Sequence, residues 1–176
     1  MTDLRYPIGK FERRDSLTPD ERRAMIDTIA AAPARMREAV AGLSDEQLDT
    51  PYREDGWTLR QVVHHVPDSH LNAYVRLKLA LTEEEPTIRP YDEALWAKLD
   101  DSKLTPVEVS LTLLESLHAR WVTLLRSMRE EDFRRTLRHP DHSGMLTLDW
   151  LVAMYEWHSR HHVAHVTSLR ERMGWR

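Results

Sequence analysis

Seven of this chain's ten histidines fall in two short stretches, His64 to His70 and His158 to His165, far apart in a sequence of 176 residues. Each stretch lies inside a segment whose apolar residues recur every three to four positions, the mark of a helix with one buried face. An imidazole in such a face needs a partner, because an unpaired buried polar group costs about 1–3 kcal/mol. A fold that packs the two segments around one metal ion satisfies both at once. In the second stretch, Trp157-His-Ser-Arg-His-His-Val-Ala-His165, His158 and His162 are four apart and lie one helical turn from each other on the same face. Two stacked imidazoles supply half of a tetrahedral site. A third from another helix leaves one position open for water, as in catalytic rather than structural metal centres.

The helix starts can be read from their caps. Thr18-Pro-Asp-Glu21 opens a helix to about Ala41, Thr58 with Gln61 opens one to about Leu81, and Thr105-Pro-Val-Glu108 opens one ending near Met128. A fourth runs from about Thr147 to Met173, and Ser44 with Gln47 caps a short turn. Pro33 predicts a kink in the first helix, and Pro67 a bend or bulge in the second beside His64 and His65. The third helix is expected to bury Val109, Leu113, Leu117, Trp121, Leu124 and Met128. Glu83 to Ser102 reads as a long connection with a short helix around Asp92 to Leu99. His139-Pro-Asp-His-Ser-Gly144 is a turn sequence that joins two short extended pieces, a possible hairpin before the fourth helix. The expected fold is all-α: one domain over residues 1–176, a four-helix bundle with a long crossover between the second and third long helices.

Cysteine is absent, which excludes disulfides, cysteine-based zinc ribbons and a protein thiol as nucleophile. Any soft-metal chemistry must run through histidine. The net charge of -4 comes from interspersed acids and bases, which argues against a nucleic-acid or membrane-surface partner. No apolar run reaches the roughly 18 residues of a membrane span. The N-terminal segment has no basic stretch followed by an apolar one, so a cytoplasmic protein is expected.

Periodicity leaves the inward face of the fourth helix open. Leu151, Tyr155, His158 and His162 make one apolar stripe; Trp150, Met154, Trp157, His161 and Ala164 make another. In the second helix only one of His64 and His65 can face the bundle axis. His65 shares its face with Ser69, Asn72 and Arg76, of which Asn72 is a candidate amide partner and Arg76 a candidate charge clamp. Asp68, three residues from His65, is a candidate to orient a ligand's second nitrogen or to carry a proton.

Several stretches together make the chain recognisable: Tyr6-Pro-Ile-Gly9, Leu48-Asp-Thr-Pro-Tyr-Arg53, Gly56-Trp-Thr-Leu-Arg-Gln-Val-Val-His-His65, Asp68-Ser-His-Leu-Asn72, Ile88-Arg-Pro-Tyr-Asp-Glu93, the His158 to His165 cluster and Met173-Gly-Trp175. In these it resembles the DinB/YfiT superfamily, and within it the YfiT-like metal-dependent hydrolases and bacillithiol-transferase-like proteins. The resemblance implies a four-helix bundle holding one divalent metal through His65, His158 and His162, in a cytoplasmic homodimer. Pro67 and Ser159 depart from the usual pattern.

Three neutral imidazoles on a divalent ion leave room for a water whose pKa falls toward about 7, or for a polarised substrate oxygen. The first expectation is a hydrolase acting on a small molecule, with Asp68 or His161 as proton carrier. The alternatives are a transferase that conjugates an external low-molecular-weight thiol to an electrophile, with Arg76 and Arg89 holding its carboxylates, and a non-catalytic metal- or ligand-binding protein. Zinc is expected first, with nickel or iron possible, because three nitrogens suit each of them.

Overall fold

The computed structural model describes residues 3–175. Four long helices carry it: α1 (Pro19–Val40), α3 (Leu59–Thr82), α6 (Val107–Ser127) and α7 (Leu148–Met173). Three short ones lie between them, α2 (Asp45–Leu48), α4 (Glu93–Trp96) and α5 (Asp101–Leu104). The capping boxes of Thr18, Ser44 and Thr58 all form, each hydroxyl accepting from the backbone three residues on. At the far end of α7, Gly174 takes a left-handed conformation with φ 65°, and Trp175 N–H donates to Arg170 C=O at 3.0 Å, closing the helix.

The helices form a square in which α1 packs on α6 and α7, and α3 packs on the same two. Side-chain pairings set the directions. Arg22 meets Asp149 and Arg170 reaches Ala39 C=O, so α1 and α7 run parallel. His64 meets Ser110 and His70 meets His118, so α3 and α6 also run parallel. Parallel neighbours cannot be joined by a tight turn. The connection from residue 83 to 106 must therefore travel back along the bundle, which is why the crossover is long.

Several expectations change in the structure. α3 runs unbroken through Pro67, itself buried, instead of bulging there. The crossover holds two short helices rather than one. The start of α6 carries no side-chain cap; Pro106 takes the cap position and His64 Nε2–H donates to Thr105 C=O at 3.0 Å instead. The buried face of α6 is Ser110, Leu111, Leu114, Leu117, His118, Trp121, Val122 and Leu125, while Val109 and Leu113 are exposed. Leu124 and Met128 are only partly buried. The apolar residues of α6 cover more than half its circumference, so the stripe alone admits several inward faces.

The expected hairpin is present: β1 (Thr136–Arg138) pairs antiparallel with β2 (Met145–Thr147). The crossover leans on it through Ile88 N–H to Arg138 C=O and Arg138 N–H to Pro86 C=O, at 3.0 and 2.9 Å.

The core divides into two apolar clusters. One is built from Ile26, Ile29, Leu77, Trp121, Leu125, Leu148 and Leu151 among others. The second includes Met36, Leu59, Val62, Val66, Leu111, Leu114, Val166 and Leu169. On α3, α6 and α7 the level between the two clusters holds His70, His118, and His158, His161, His162 and His165. On α1 the same level is occupied by Pro33. A layer of imidazoles thus crosses the waist of the bundle.

Candidate metal centre

α3 and α7 run antiparallel, so His65 faces the His158/His162 pair. His158 Nε2 lies 3.3 Å from His65 Nε2 and 3.2 Å from His162 Nε2. One donor atom from each of the three falls within 4.8 Å of the others, a set that could hold a metal ion. An ion bound tetrahedrally at about 2.0–2.1 Å has ligand–ligand edges of about 3.3–3.4 Å, so the two short edges already match. His65 and His162 are buried, and burial pushes the His65 imidazole down to about 4 and that of His162 well below its usual value. Neutral imidazole is the form that binds metal.

The trio forms the floor of a cavity of about 630 Å³. The lining also includes Ser69, Arg76, Tyr91 and Tyr155, together with Tyr52, Arg53 and Trp57, and the charged and polar side chains of Arg5, Tyr6, Asp55, Glu93, His139, Asp141 and His142. The Trp57 ring sits 4.8 Å from that of His65. Ser69 Oγ is 3.4 Å from the Tyr155 hydroxyl and 3.5 Å from His158 Nε2. Burial raises both the Tyr91 and the Tyr155 phenol, so each keeps its proton and can donate it in a hydrogen bond. Among the described residues no carboxylate lies within 4.0 Å of the Arg53 or Arg76 guanidinium, and Arg53 Nε is buried without a partner.

The DinB superfamily model matches residues 28–166. The chain belongs to the DinB superfamily. It is 49% identical over 173 residues to "Putative metal-dependent hydrolase YfiT" of Bacillus subtilis (strain 168), covering 98% of this chain and 97% of that one. A Bacillus cereus (strain AH820) protein carrying the same hydrolase description is 54% identical over 175 residues, 99% and 100% of the two chains. The solved structure of the Bacillus subtilis YfiT matches with a TM-score of 0.97 at 48% identity, over 99% and 100% of the chains, and is described as having "an unusual four-helix bundle topology".

The other residues singled out in this DinB-superfamily chain divide between the cavity and elsewhere. Arg76 lines the cavity, and so does His161, stacked on Trp157 with ring centroids 4.2 Å apart. Burial pushes the His161 imidazole down to about 3, which makes it a weak proton acceptor at neutral pH. Asp68, Asn72 and Arg89 are not brought to the trio. Asp68 is half-buried on another face of α3, where burial, with Asp101 nearby, pushes its carboxyl up to about 6. Asn72 turns back along α3 to donate to Asp68 C=O at 2.9 Å. Arg89 is exposed and contributes its backbone carbonyl to Arg76 Nη2 at 3.3 Å. Asn72 shares the helical face of His65, but its amide is spent on the α3 backbone instead of the cavity.

His64, the neighbour of His65, has a structural role. Its Nε2–H is committed to Thr105 C=O, so its Nδ1 accepts from the Ser110 hydroxyl at 2.7 Å. Substituting His64→Ala is expected to destabilise the protein by about 1–3 kcal/mol while leaving its metal affinity within a few-fold of the parent, because both bonds tie α3 to α6. Urea unfolding beside chelator competition measures the two effects separately.

Sequence alone assigns no role to His70 and His118, both buried in the same layer, nor to Tyr91, Arg53 and Trp57 around the cavity. For His118 the available signal is a lone histidine on an apolar helix. It could not be interpreted without knowing which helix it faced.

Proposed function

We propose that this chain is a metal-dependent hydrolase in which His65, His158 and His162 hold one divalent ion at the floor of the cavity. The convergence of those three ring nitrogens carries the reading, and the descriptions borne by the Bacillus relatives agree with it. When bound, such an ion acts as a Lewis acid on a substrate oxygen and lowers the pKa of water toward about 7. Zinc is the first assignment, and nickel or iron suits the same nitrogens.

The chain's own residues supply the rest. Tyr91 and Arg76 line the cavity, where a phenol O–H and a guanidinium stabilise negative charge developing on the substrate. Arg53 lines the same cavity with an unused N–H. Trp57, packed on His65, excludes water from one flank of the trio. A volume of about 630 Å³ suits a small molecule rather than a polymer. The substrate on this reading is a small ester, amide or related compound with an anionic group in reach of the two arginines. No feature of the cavity favours thiol transfer over hydrolysis. A cytoplasmic homodimer completes the proposal, and light scattering tests its mass; among the described residues no helix is long and apolar enough to cross a membrane.

The deciding experiment uses protein purified without a polyhistidine tag or nickel column. Elemental analysis is expected to find about one divalent ion per chain. Stripping it with a chelator should reduce hydrolysis of a chromogenic ester panel to background, and zinc should restore it. Full hydrolysis by the stripped protein would refute the proposal.

A further inference from the structure

Behind the trio, a file of imidazoles runs across the bundle. His158 Nδ1 lies 3.0 Å from His70 Nε2, and His70 Nδ1 lies 2.7 Å from His118 Nε2. His118 Nδ1 lies 2.7 Å from the carbonyl oxygen of Ile29. A carbonyl oxygen only accepts, so at this end the proton sits on His118 Nδ1. A neutral imidazole has a single N–H, so His118 Nε2 must accept and His70 Nδ1 must donate. The same step repeats: His70 Nε2 accepts, and His158 Nδ1 donates. An extra proton on His118 Nε2 or His70 Nε2 would put two into one short nitrogen–nitrogen contact. His158 is thereby left with a lone pair on Nε2, the atom that faces His65 and His162.

The carbonyl is free for a reason written in the sequence. In α1 the Ile29 C=O would be paired with the N–H of residue 33, four positions on. That residue is proline, which has no N–H and whose ring pushes the carbonyl of the preceding turn outward. The orphaned oxygen meets His118 across the α1–α6 interface. Pro33, expected only to kink a helix, thus provides the fixed end of the file.

We propose that His118 and His70 are positioning residues: anchored on the carbonyl freed by Pro33, they hold His158 in its Nδ1–H tautomer and aim Nε2 at the metal position. The proposal rests on the reading of the trio as a metal site. A proton path is a poor description of the file, because its last acceptor is a backbone oxygen that cannot pass a proton on. His162 is served in the same way by a looser arrangement. His165 Nε2–H donates to Arg5 C=O and His165 Nδ1 meets His162 Nδ1, both at 3.3 Å, which leaves His162 Nε2 unprotonated. His165, whose donor atom converges with those of His161 and His162, is therefore an orienting partner of His162, its two ring nitrogens already committed.

The test reads tautomers and affinity, not turnover. Two-bond proton–nitrogen spectra of metal-free, ¹⁵N-histidine-labelled protein are expected to show His158 protonated on Nδ1. In His118→Leu that signature should be lost, and zinc affinity, measured by competition with a chromophoric chelator, should fall about 10–100-fold. His118→Gln, whose amide can donate to Ile29 and accept from His70, should recover most of the affinity. An unchanged His158 tautomer together with unchanged zinc affinity in His118→Leu overturns the proposal. If that variant does not fold, an Nε2–H tautomer of His158 in the metal-free parent overturns it alone. A parent that binds neither zinc, nickel nor iron refutes the metal-site reading, and the spectra of the metal-free protein still decide the relay.

Discussion

Substituting His162→Ala is expected to weaken zinc binding by well over 100-fold and to reduce hydrolysis to the level of the metal-stripped protein. Loss of an outer orienting partner typically costs about 10–100-fold in metal affinity, and loss of a ligand must exceed that, since only two imidazoles then remain. The helical fold should survive, because His162 lies in the imidazole layer and the apolar clusters on either side are untouched. Chelator competition and circular dichroism on the same sample check both halves. Zinc affinity within a few-fold of the parent would exclude His162 as a ligand. The contrast with His64→Ala is diagnostic: the same residue type on a neighbouring face of the bundle is expected to change stability and leave metal binding alone.

The second large effect lies at the other end of α7 and concerns folding. Asp149 and Arg22 are both almost wholly buried, with side chains 5% and 6% exposed. Asp149 accepts from Arg22 Nε at 2.7 Å and Nη2 at 3.1 Å, and from Leu17 N–H at 3.0 Å. Arg22 Nη2 also donates to Leu17 C=O at 3.1 Å. Replacing Asp149 with alanine leaves Arg22 Nε and the Leu17 N–H without an acceptor, and the buried guanidinium with only the exposed Glu130 as counter-charge, at 2.9 Å from Nη1. Breaking a buried pair from one side costs about 3–5 kcal/mol. In a chain of this size each kcal/mol moves Tm by about 2–4 °C, so a fall of about 6–20 °C is expected by calorimetry of the metal-free protein. A double substitution, Arg22→Met with Asp149→Leu, should recover much of the loss, because removing both partners leaves no uncompensated charge. A single variant as stable as the parent would show that water reaches the pair.

Much of the architecture was legible before the structure was known, and the reason differs from element to element. The starts of α1, α2 and α3 could be read because a capping hydroxyl and the Glu or Gln three residues on are local chemistry, satisfied within one turn. Thr105-Pro-Val-Glu108 carries the same letters and does not cap α6, because the helix starts one residue later, with Pro106 in the cap position and no side-chain oxygen there to accept. The hairpin was legible from its turn sequence, and its neighbours in the crossover were not. In α6 an excess of apolar residues hid the true inward face, which runs through Ser110 and His118.

The candidate site divides along the same line. Sequence spacing places His158 and His162 on one face, and residue type alone makes them and His65 suited to a metal; the family pattern selects this trio from the available histidines. Local sequence also accounts for Pro33 removing one helical hydrogen bond, since that depends on covalent structure and helical period only. Which partner takes up the freed carbonyl, which histidines stand behind the ligands, and why Asp68, Asn72 and Arg89 lie away from the cavity are matters of packing between helices. They depend on how α1, α3, α6 and α7 are rotated and which way each runs. A helix's own sequence says little about either, because the burial that sets them belongs to its neighbours.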